Sequence, residues 1–329
     1  MHLLIYGAGA IGQFLGAMLA AGGTRVHLVA RASVVEAVEA QGLICTDLDG
    51  GTRVVRAGLS ASTGWPAFAP DLVLLTVKGP ATAAAAAELA HHLSPGTPVL
   101  SFQNGVENVD RIKAVAPGLQ ALAGMVPYNV VQAAPAQVRR TTEGALMVAR
   151  APITAQLQVE CQRAGLALQL RDDIREVQWG KLLLNLNNPI NAISGKPLRE
   201  QLLDAGYRRL LARLQQEALE ALAHAGIRPA RVTPLPPTLI PSLLRLPTPL
   251  FRLIASKMLK IAPDARSSMY DDRVAGRPTE IDDLCGAVVR LAQAHGSAAP
   301  LNAAMVRLLG QLRVGEWLSA EELVRRLAA

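Results

Sequence analysis

The chain opens with the segment His2-Leu3-Leu4-Ile5-Tyr6-Gly7-Ala8-Gly9-Ala10-Ile11-Gly12, and this segment decides the fold. Its first five residues are a short apolar run of the length that a buried parallel strand needs, and residues 11–21 have the pattern of a helix. Residues 25–30 form a second strand-like run. Strand, glycine-rich turn, helix and strand together make a βαβ unit, which predicts an α/β fold with a doubly wound, mainly parallel sheet.

The glycine spacing in this unit is typical of a dinucleotide-binding turn. Gly7 permits the tight bend, Gly9 lets backbone N–H groups approach a pyrophosphate, and Gly12 lets the helix pack closely on the strand. The helix N-terminus adds partial positive charge and N–H donors. A purely structural glycine turn is the alternative. The residues predicted to contact the coenzyme are Gly7, Ala8, Gly9, Ala10, Ile11 and Gly12.

The residue after the second strand indicates which dinucleotide binds. NAD-binding units usually place an acidic residue there to hold the ribose 2′-hydroxyl. Here the strand runs into Arg31-Ala32-Ser33, and the first acidic residue is Glu36. Because a guanidinium group suits a 2′-phosphate, Arg31 favours NADP(H) over NAD(H), with a solvated surface arginine as the alternative.

Composition limits the other classes of function. The 329 residues are enough for two domains, and the net charge is +7 with only 3% aromatic residues. The basic residues are scattered and have no interleaved aromatic platform, so we expect no nucleic acid partner. An anionic coenzyme and a small anionic substrate account for the excess charge.

Cysteine, histidine and hydropathy patterns favour a cytoplasmic protein without a metal. Cys45, Cys161 and Cys285 lie outside any CxxC pattern, as expected of reduced thiols. The six histidines form no HxxxH or HxH pair. We expect no signal peptide, since the N-terminus is itself the first strand, and no membrane span, since no apolar run is long enough.

The sequence pattern changes near Arg171. Strand-like runs recur before it, at 71–77, 98–101, 119–131 and 145–149. After it the apolar spacing is helical, beginning with one long helix over 172–193. We therefore predict a dinucleotide-binding domain over residues 1–170 and an all-helical substrate domain over 171–329.

A proline-rich segment interrupts the helical half. Seven prolines between Pro229 and Pro249 exclude a continuous helix and predict short helical pieces. The basic residues near it are Arg245, Arg252, Lys257 and Lys260. We interpret them as a solvated face rather than as a membrane-surface helix.

Polar side chains follow two of the strands. Lys78 comes directly after strand 71–77, and Asn104 lies in the loop after strand 98–101. Open α/β sheets bind ligands at the carboxyl ends of their strands. Gly105 permits a tight turn that would aim Asn104 into the crevice, so Lys78 and Asn104 are candidate ligand contacts.

Two polar clusters stand out in the helical half. Lys181 and Asn185 are four residues apart and share a helix face. The leucines at 182–184 would desolvate the lysine and lower its pKa, which suits proton donation near neutrality; a snorkelling lysine is the alternative. The second cluster contains Ser267 and Ser268, with Glu280 after Thr279, which we predict as a helix N-cap.

Together these motifs resemble the ketopantoate reductase (2-dehydropantoate 2-reductase) family along nearly the whole chain. The matching motifs are Gly7-Ala8-Gly9-Ala10-Ile11-Gly12, Val77-Lys78, Phe102-Gln103-Asn104-Gly105, Trp179-Gly180-Lys181 with Asn185, and Ser267-Ser268-Met269 with Glu280. The resemblance implies a Rossmann domain, a helical domain and an active site in the cleft between them. It also implies NADPH-dependent reduction of 2-dehydropantoate to pantoate, in pantothenate and coenzyme A synthesis.

The resemblance further implies roles for single residues. Lys181 matches the general acid, and Glu280 matches its partner near substrate and nicotinamide. The other matching positions are Asn104 for substrate and coenzyme, Asn185 and Ser268 for substrate, and Lys78 for coenzyme.

One position departs from the family pattern, which often has a second asparagine where this chain has Pro189. A paralogue that reduces a different 2-oxo acid is therefore a second hypothesis. A catalytically silent NADP(H)-binding sensor is a third, which the presence of Lys181 and Glu280 disfavours. The assembly state stays open, with a homodimer as one option.

Overall fold

The computed structural model describes residues 1–256, 259 and 262–328. The chain divides into two compact units, Met1–Arg175 (unit 1) and Glu176–Ala329 (unit 2). The functions predicted for the two halves, coenzyme binding and catalysis, stay predictions at this point.

Unit 1 combines twelve described strands with five described helices. The strands are β1 (His2–Tyr6), β2 (Arg25–Val29), β3 (Leu43–Thr46), β4 (Thr52–Val55), β5 (Leu59–Ser62), β6 (Leu72–Leu75), β7 (Pro98–Ser101), β8 (Gln120–Met125), β9 (Val130–Ala134), β10 (Gln137–Arg140), β11 (Leu146–Ala149) and β12 (Leu168–Arg171). The helices are α1 (Ala10–Ala21), α2 (Ala32–Gln41), α3 (Thr82–His92), α4 (Asn108–Val115) and α5 (Pro152–Arg163).

The main sheet has eight strands in the order β12-β11-β8-β7-β6-β1-β2-β5. All neighbouring pairs are parallel except β8 with β11. The chain runs one way from β1 to β2 and the other way from β6 to β8, so the order reverses between β1 and β6. Such a switch point is where an open α/β sheet binds its ligand, and the predicted doubly wound sheet is confirmed.

Helices cover both faces of this sheet because successive strand residues point to opposite sides. Leu3 and Ile5 of β1 belong to one core cluster, together with Phe14 and Leu15 of α1. Leu4 of β1 belongs to the other cluster, together with buried residues of α3 and α4. All three β1 residues are fully buried, as the continuous apolar run of a central parallel strand requires.

A second sheet corrects one expectation about unit 1. Residues 119–131 do not form one strand, because β8 ends at Met125 and β9 begins at Val130. Pro127 lies in the gap and has no N–H to donate to a ladder. Strand β9 belongs to a separate four-stranded sheet, β4-β3-β10-β9, whose buried residues share a core cluster with those of α1.

Unit 2 consists of helices and connecting loops, with no strand among its described residues. Its helices are α6 (Ile174–Asn185, which starts at the end of unit 1), α7 (Asn187–Ser194), α8 (Leu198–Leu203), α9 (Ala205–His224), α10 (Ile240–Leu244), α11 (Thr248–Ile254), α12 (Ser268–Val274), α13 (Ala287–Ala294), α14 (Pro300–Gln311) and α15 (Ala320–Ala328). A π-helical turn, Asp282–Gly286, precedes α13.

The single helix predicted over 172–193 is wrong, because the chain breaks at Leu186 between α6 and α7. Pro189 explains the break. It lacks an N–H, and its ring would clash with the carbonyl of Asn185 if the helix were continuous.

The proline-rich segment forms the short helical pieces that its composition predicts. Arg208 of α9 is fully buried and fastens this segment, donating to the carbonyls of Leu244 (3.2 Å) and Leu246 (3.0 Å). Arg245 and Arg252 are exposed, as expected of a solvated face. Lys257 and Lys260, the other two residues of that interpretation, lie outside the described residues.

All three cysteines are free and buried. Burial raises the pKa of Cys45 and Cys161 to about 12 and also raises that of Cys285. Among the described residues, no group of three His, Cys, Asp or Glu side chains is arranged to hold a metal ion. No helix in the described part of the chain combines the length and apolarity that crossing a membrane demands.

Candidate functional site

The three glycines of the β1–α1 loop differ in how closely protein atoms surround them. Gly7 has a φ of +98°, and a Cβ there would lie 2.5 Å from Cγ1 of Val77. A Cβ on Gly12 would lie 2.6 Å from Oγ1 of Thr76 and 2.7 Å from the carbonyl oxygen of Gly7. A Cβ on Gly9, by contrast, would meet no protein atom within 4 Å. The close packing of the loop therefore requires glycine at positions 7 and 12, whereas Gly9 borders open space that a ligand could occupy.

Two polar side chains hold this loop in shape. Gln13 is fully buried, and its Nε2 donates to the carbonyl of Ala8 at 2.8 Å. Thr76 follows β6, and its hydroxyl donates to the carbonyl of Gly7 at 2.6 Å. Helix α1 begins directly after Gly9 without a side-chain cap, so its first-turn N–H groups have no acceptor within the helix. The loop thus fits a pyrophosphate, which would meet these donors and the helix dipole.

The cationic candidates of unit 1 lie in loops that follow two strands of the main sheet. Arg31 is exposed and precedes the first residue of α2, after β2. Lys78 is exposed in the loop after β6, where its carbonyl accepts a hydrogen bond from the N–H of Ala81 at 2.9 Å. Both residues follow the carboxyl ends of parallel strands next to the switch point, as the sequence predicts.

Asn104 lies half-buried in the loop between β7 and α4. The next residue, Gly105, has a φ of +91°, so the predicted tight turn is present. The side chain of Asn108, the first residue of α4, donates through Nδ2 to the carbonyl of Asn104 at 2.6 Å. The backbone of Asn104 is therefore held from inside the protein.

In unit 2, Lys181 lies partly buried on α6 between fully or partly buried leucines. Burial lowers the pKa of Lys181 to about 8, and the negative charge of Glu280 opposes this shift. Glu280 is itself 5% exposed. The pair therefore places an ammonium and a carboxylate in a poorly solvated environment, where a proton can leave the lysine near neutral pH.

The surroundings of α6 explain the residues that precede the lysine. A Cβ at Gly180 would overlap the carbonyl oxygen of Ala230, whose N–H in turn donates to the carbonyl of Glu176 at 2.9 Å. Trp179 is 2% exposed and part of the core. The Trp-Gly pair before Lys181 thus anchors the helix that carries it.

The expected N-cap at Thr279 is wrong. The helical residues begin at Ile281, so Glu280 lies just before the helix instead of in its first turn. Its carbonyl accepts a hydrogen bond from the N–H of Asp283 at 3.1 Å. The π-helical turn then follows, a widened turn that often accompanies functional sites.

The polar residues near Asn185 and Ser268 separate into two kinds. Ser267 is buried and caps α12, since its Oγ accepts from the N–H of Tyr270 at 3.2 Å. Asn191 is fully buried and accepts from the N–H of Ser267 at 2.9 Å. Ser268 is exposed, and Asn185 is half-buried at the end of α6. Ser267 and Asn191 are thus structural, while Ser268 and Asn185 are accessible to a ligand.

Comparison with known proteins identifies the family. The family model "Ketopantoate reductase PanE/ApbA" matches residues 3–152, and that of the C-terminal part of the same family matches residues 173–313. The chain belongs to the ketopantoate reductase family. It is therefore a member of a family of oxidoreductases.

Individual relatives and solved structures match over nearly the whole chain. The 2-dehydropantoate 2-reductase of Mesorhizobium japonicum is 32% identical, covering 95% of this chain and 98% of its own length. A crystal structure of a PanE/ApbA family ketopantoate reductase from Ralstonia eutropha JMP134 is 30% identical, with a TM-score of 0.81 over 94% of this chain and 97% of that one. The ternary structure of D-mandelate dehydrogenase with NADH and anilino(oxo)acetate shares the fold at 21% identity, with a TM-score of 0.78 over 94% of this chain and 97% of that one.

Two residues that hold the β1–α1 loop, Gln13 and Thr76, are absent from the sequence-based predictions for this member of the ketopantoate reductase family. Gln13 is the one polar side chain in the apolar stretch of α1, which is a visible signal. Thr76 gives no such signal, because its partner Gly7 is 69 residues away in the sequence.

Proposed function

We propose that this chain catalyses the NADPH-dependent reduction of 2-dehydropantoate to pantoate, a step of pantothenate and coenzyme A synthesis. The observation that carries the proposal is the partly buried Lys181 among the leucines of α6, where desolvation lowers its pKa to about 8 and the negative charge of Glu280 opposes that shift. A residue of this kind can donate a proton at neutral pH, which reduction of a carbonyl requires. The substrate is a small 2-oxo acid, and we expect the enzyme to act in the cytoplasm.

In this proposal Lys181 is the general acid. NADPH, when bound, supplies the hydride that reaches C2 of the 2-oxo acid. The carbonyl oxygen gains negative charge in that step, so an ammonium group beside it stabilises the transition state more than the ground state. The proton moves from Nζ of Lys181 to this oxygen and leaves a neutral amine, which solvent protonates again. Glu280 keeps the ammonium charged and oriented between turnovers.

The remaining residues bind. The β1–α1 loop from Gly7 to Gly12 would hold the pyrophosphate, because Gly9 leaves the space and α1 offers the N–H donors. Arg31 would meet the 2′-phosphate of NADPH, and Lys78 would lie on the coenzyme side. Asn104 would contact both coenzyme and substrate, while Asn185 and Ser268 would bind the 2-oxo acid.

The test is a panel of 2-oxo acids assayed with NADPH and with NADH, in which the loss of near-ultraviolet absorbance follows turnover. The panel contains 2-dehydropantoate, 2-oxoisovalerate, pyruvate and phenylglyoxylate, which span small, branched and aromatic acyl groups. We expect the highest kcat/KM for 2-dehydropantoate with NADPH. A higher kcat/KM for another acid would contradict the proposed substrate, and a preference for NADH would contradict the role of Arg31.

A further inference from the structure

A buried chain of hydrogen bonds in unit 1 connects two loops of the proposed coenzyme site. Its members are Ser101 at the end of β7, Gln103 in the following loop, Thr82 at the start of α3 and Asn108 at the start of α4. They are 1%, 6%, 0% and 3% exposed, respectively. Burying four polar side chains is costly unless each is hydrogen-bonded, so their contacts have to be specific.

The acceptor groups at the end of this hydrogen-bond network fix the direction in which its protons are donated. The carbonyl oxygens of Asn104 and Gly79 can only accept. Asn108 therefore donates through Nδ2 to Asn104 (2.6 Å), which turns its Oδ1 towards the hydroxyl of Thr82 (2.9 Å). The single proton of Thr82 lies between that Oδ1 and the carbonyl of Gly79 (2.7 Å).

The direction of the Thr82 hydroxyl also fixes the donors and acceptors of the remaining two bonds, those of Gln103 and Ser101. Because the Thr82 hydroxyl donates towards carbonyl oxygens, its own oxygen accepts from Nε2 of Gln103 at 2.6 Å. Oε1 of Gln103 then accepts from the hydroxyl of Ser101 at 3.0 Å. The bonds from Ser101 through Gln103, Thr82 and Asn108 to the Asn104 carbonyl therefore point the same way, while the Thr82 proton is shared with the Gly79 carbonyl as a side branch. Aligned bonds of this kind polarise and strengthen one another.

The hydrogen-bond network fixes backbone groups at or beside Lys78 and Asn104. Thr82 fastens the carbonyl of Gly79, the residue after Lys78, while Asn108 fastens the carbonyl of Asn104 itself. Since a peptide group is planar and trans, an inward carbonyl of Asn104 directs the N–H of Gly105 away from the buried chain. The Thr82 hydroxyl thus touches both loops: it shares its one proton between the Gly79 carbonyl and Asn108, and Asn108 in turn bonds the Asn104 carbonyl.

We propose that Thr82, Gln103 and Asn108 are positioning residues, which hold the Lys78 and Asn104 loops in the conformation that binds the dinucleotide. This inference rests on the proposed function, because it takes Lys78 and Asn104 as coenzyme contacts. None of the three side chains need touch the coenzyme for the effect.

The experiment removes one hydroxyl at a time and measures NADPH affinity by fluorescence titration of the full chain without 2-oxo acid. Thr82→Val deletes the central hydroxyl at nearly constant volume. Thr154→Val is the matched control. Thr154 lies on α5 of unit 1 and is equally buried, and its hydroxyl donates to the carbonyl of Ala149 at 2.8 Å. We expect NADPH affinity to fall about tenfold in Thr82→Val and to change less than about twofold in Thr154→Val, although both lower Tm.

Thr82→Ser restores the hydroxyl and is expected to bind NADPH within about threefold of the wild type. If Thr82→Val does not fold, Asn108→Asp is measured in its place, because a carboxylate cannot donate to the Asn104 carbonyl and so removes the last bond of the same network. Equal NADPH affinities in Thr82→Val and Thr154→Val, or a Thr82→Ser variant as weak as Thr82→Val, would overturn the positioning role. If the wild type bound no dinucleotide, both proposals would fall, whereas turnover of another 2-oxo acid would overturn only the proposed substrate.

Discussion

The buried and half-buried polar side chains of the candidate site differ in charge between the two units. In unit 1 they include the amides of the buried Gln13 and Asn108 and the hydroxyls of the buried Thr82 and the half-buried Thr76, all neutral and each bonded to a backbone carbonyl. In unit 2 they include the ammonium of Lys181 and the carboxylate of Glu280. The neutral side chains of unit 1 therefore hold backbone loops in one conformation, whereas unit 2 contains the charged pair to which we assign proton transfer.

The comparison predicts that the largest loss of activity comes from unit 2. Lys181→Ala is expected to lower kcat by about 10²–10⁴-fold with NADPH affinity largely kept, since general-acid catalysis typically contributes that much. Lys181→Arg is not expected to rescue kcat, because a guanidinium group does not give up a proton. Single-turnover measurements check both variants, with Lys196→Ala, an exposed lysine of unit 2, as the control. Near-normal turnover by Lys181→Ala would assign the proton to water or to another group.

A smaller loss, confined to one coenzyme, is expected from Arg31→Ala. A charge-assisted hydrogen bond to the 2′-phosphate is worth about 1.5–3 kcal/mol, so the KM for NADPH rises by about one to two decades while that for NADH stays nearly constant. Arg25→Ala, at the exposed opposite end of β2, should change neither KM. Equal effects of Arg31→Ala on both coenzymes would mean that Arg31 supports the fold.

Two glycine variants separate shape from binding within the same loop. Gly7→Ala places a Cβ 2.5 Å from Val77 at a φ of +98°, so we expect it to cost about 1–3 kcal/mol of unfolding free energy. Gly9→Ala meets no protein atom within 4 Å and should leave Tm nearly unchanged while it weakens NADPH binding. Thermal melts and titrations of both variants test this. A Gly9→Ala variant with normal affinity would exclude close approach of the coenzyme at that position.

The smallest expected effect is the pH dependence of kcat and of stability, which we expect to come from Lys181 of unit 2. Lys181 has to be protonated to act as an acid, so kcat should halve near its pKa of about 8 and fall further above it. Stability should change in the opposite direction. Between pH 8 and pH 10.5 the unfolded chain keeps a proton on Lys181 that the folded chain has released, so this residue makes the unfolding free energy rise with pH.

Denaturant titrations across that window measure this effect in the wild type and in Lys181→Met, which lacks the titrating group. The pH-dependent rise should be smaller in the variant. Identical slopes would mean that Lys181 titrates at its ordinary pKa in the folded protein. The Thr82→Val variant of unit 1, by contrast, should keep the wild-type pH profile of kcat.

The sequence predicts best what depends on neighbours along the chain. The strand, glycines and helix of the opening segment are local, and so is the shared face of Lys181 and Asn185. The break at Leu186 was also readable, because Pro189 cannot follow Asn185 in one continuous helix. The contacts of Thr82 with Gln103 and Asn108 join residues 21 and 26 positions apart, and no local pattern reveals which buried polar side chains will pair.

The buried cysteines allow local unfolding of each unit to be followed by thiol labelling. A thiol reacts as a thiolate, so burial and a raised pKa protect Cys45, Cys161 and Cys285 as long as the fold around them stays closed. Cys45 and Cys161 lie in unit 1, and Cys285 lies in unit 2 within the π-helical turn Asp282–Gly286. Labelling rates followed by peptide mass spectrometry would therefore report the local unfolding of each unit separately. A dinucleotide held by unit 1 alone would slow the first two rates and leave the third unchanged.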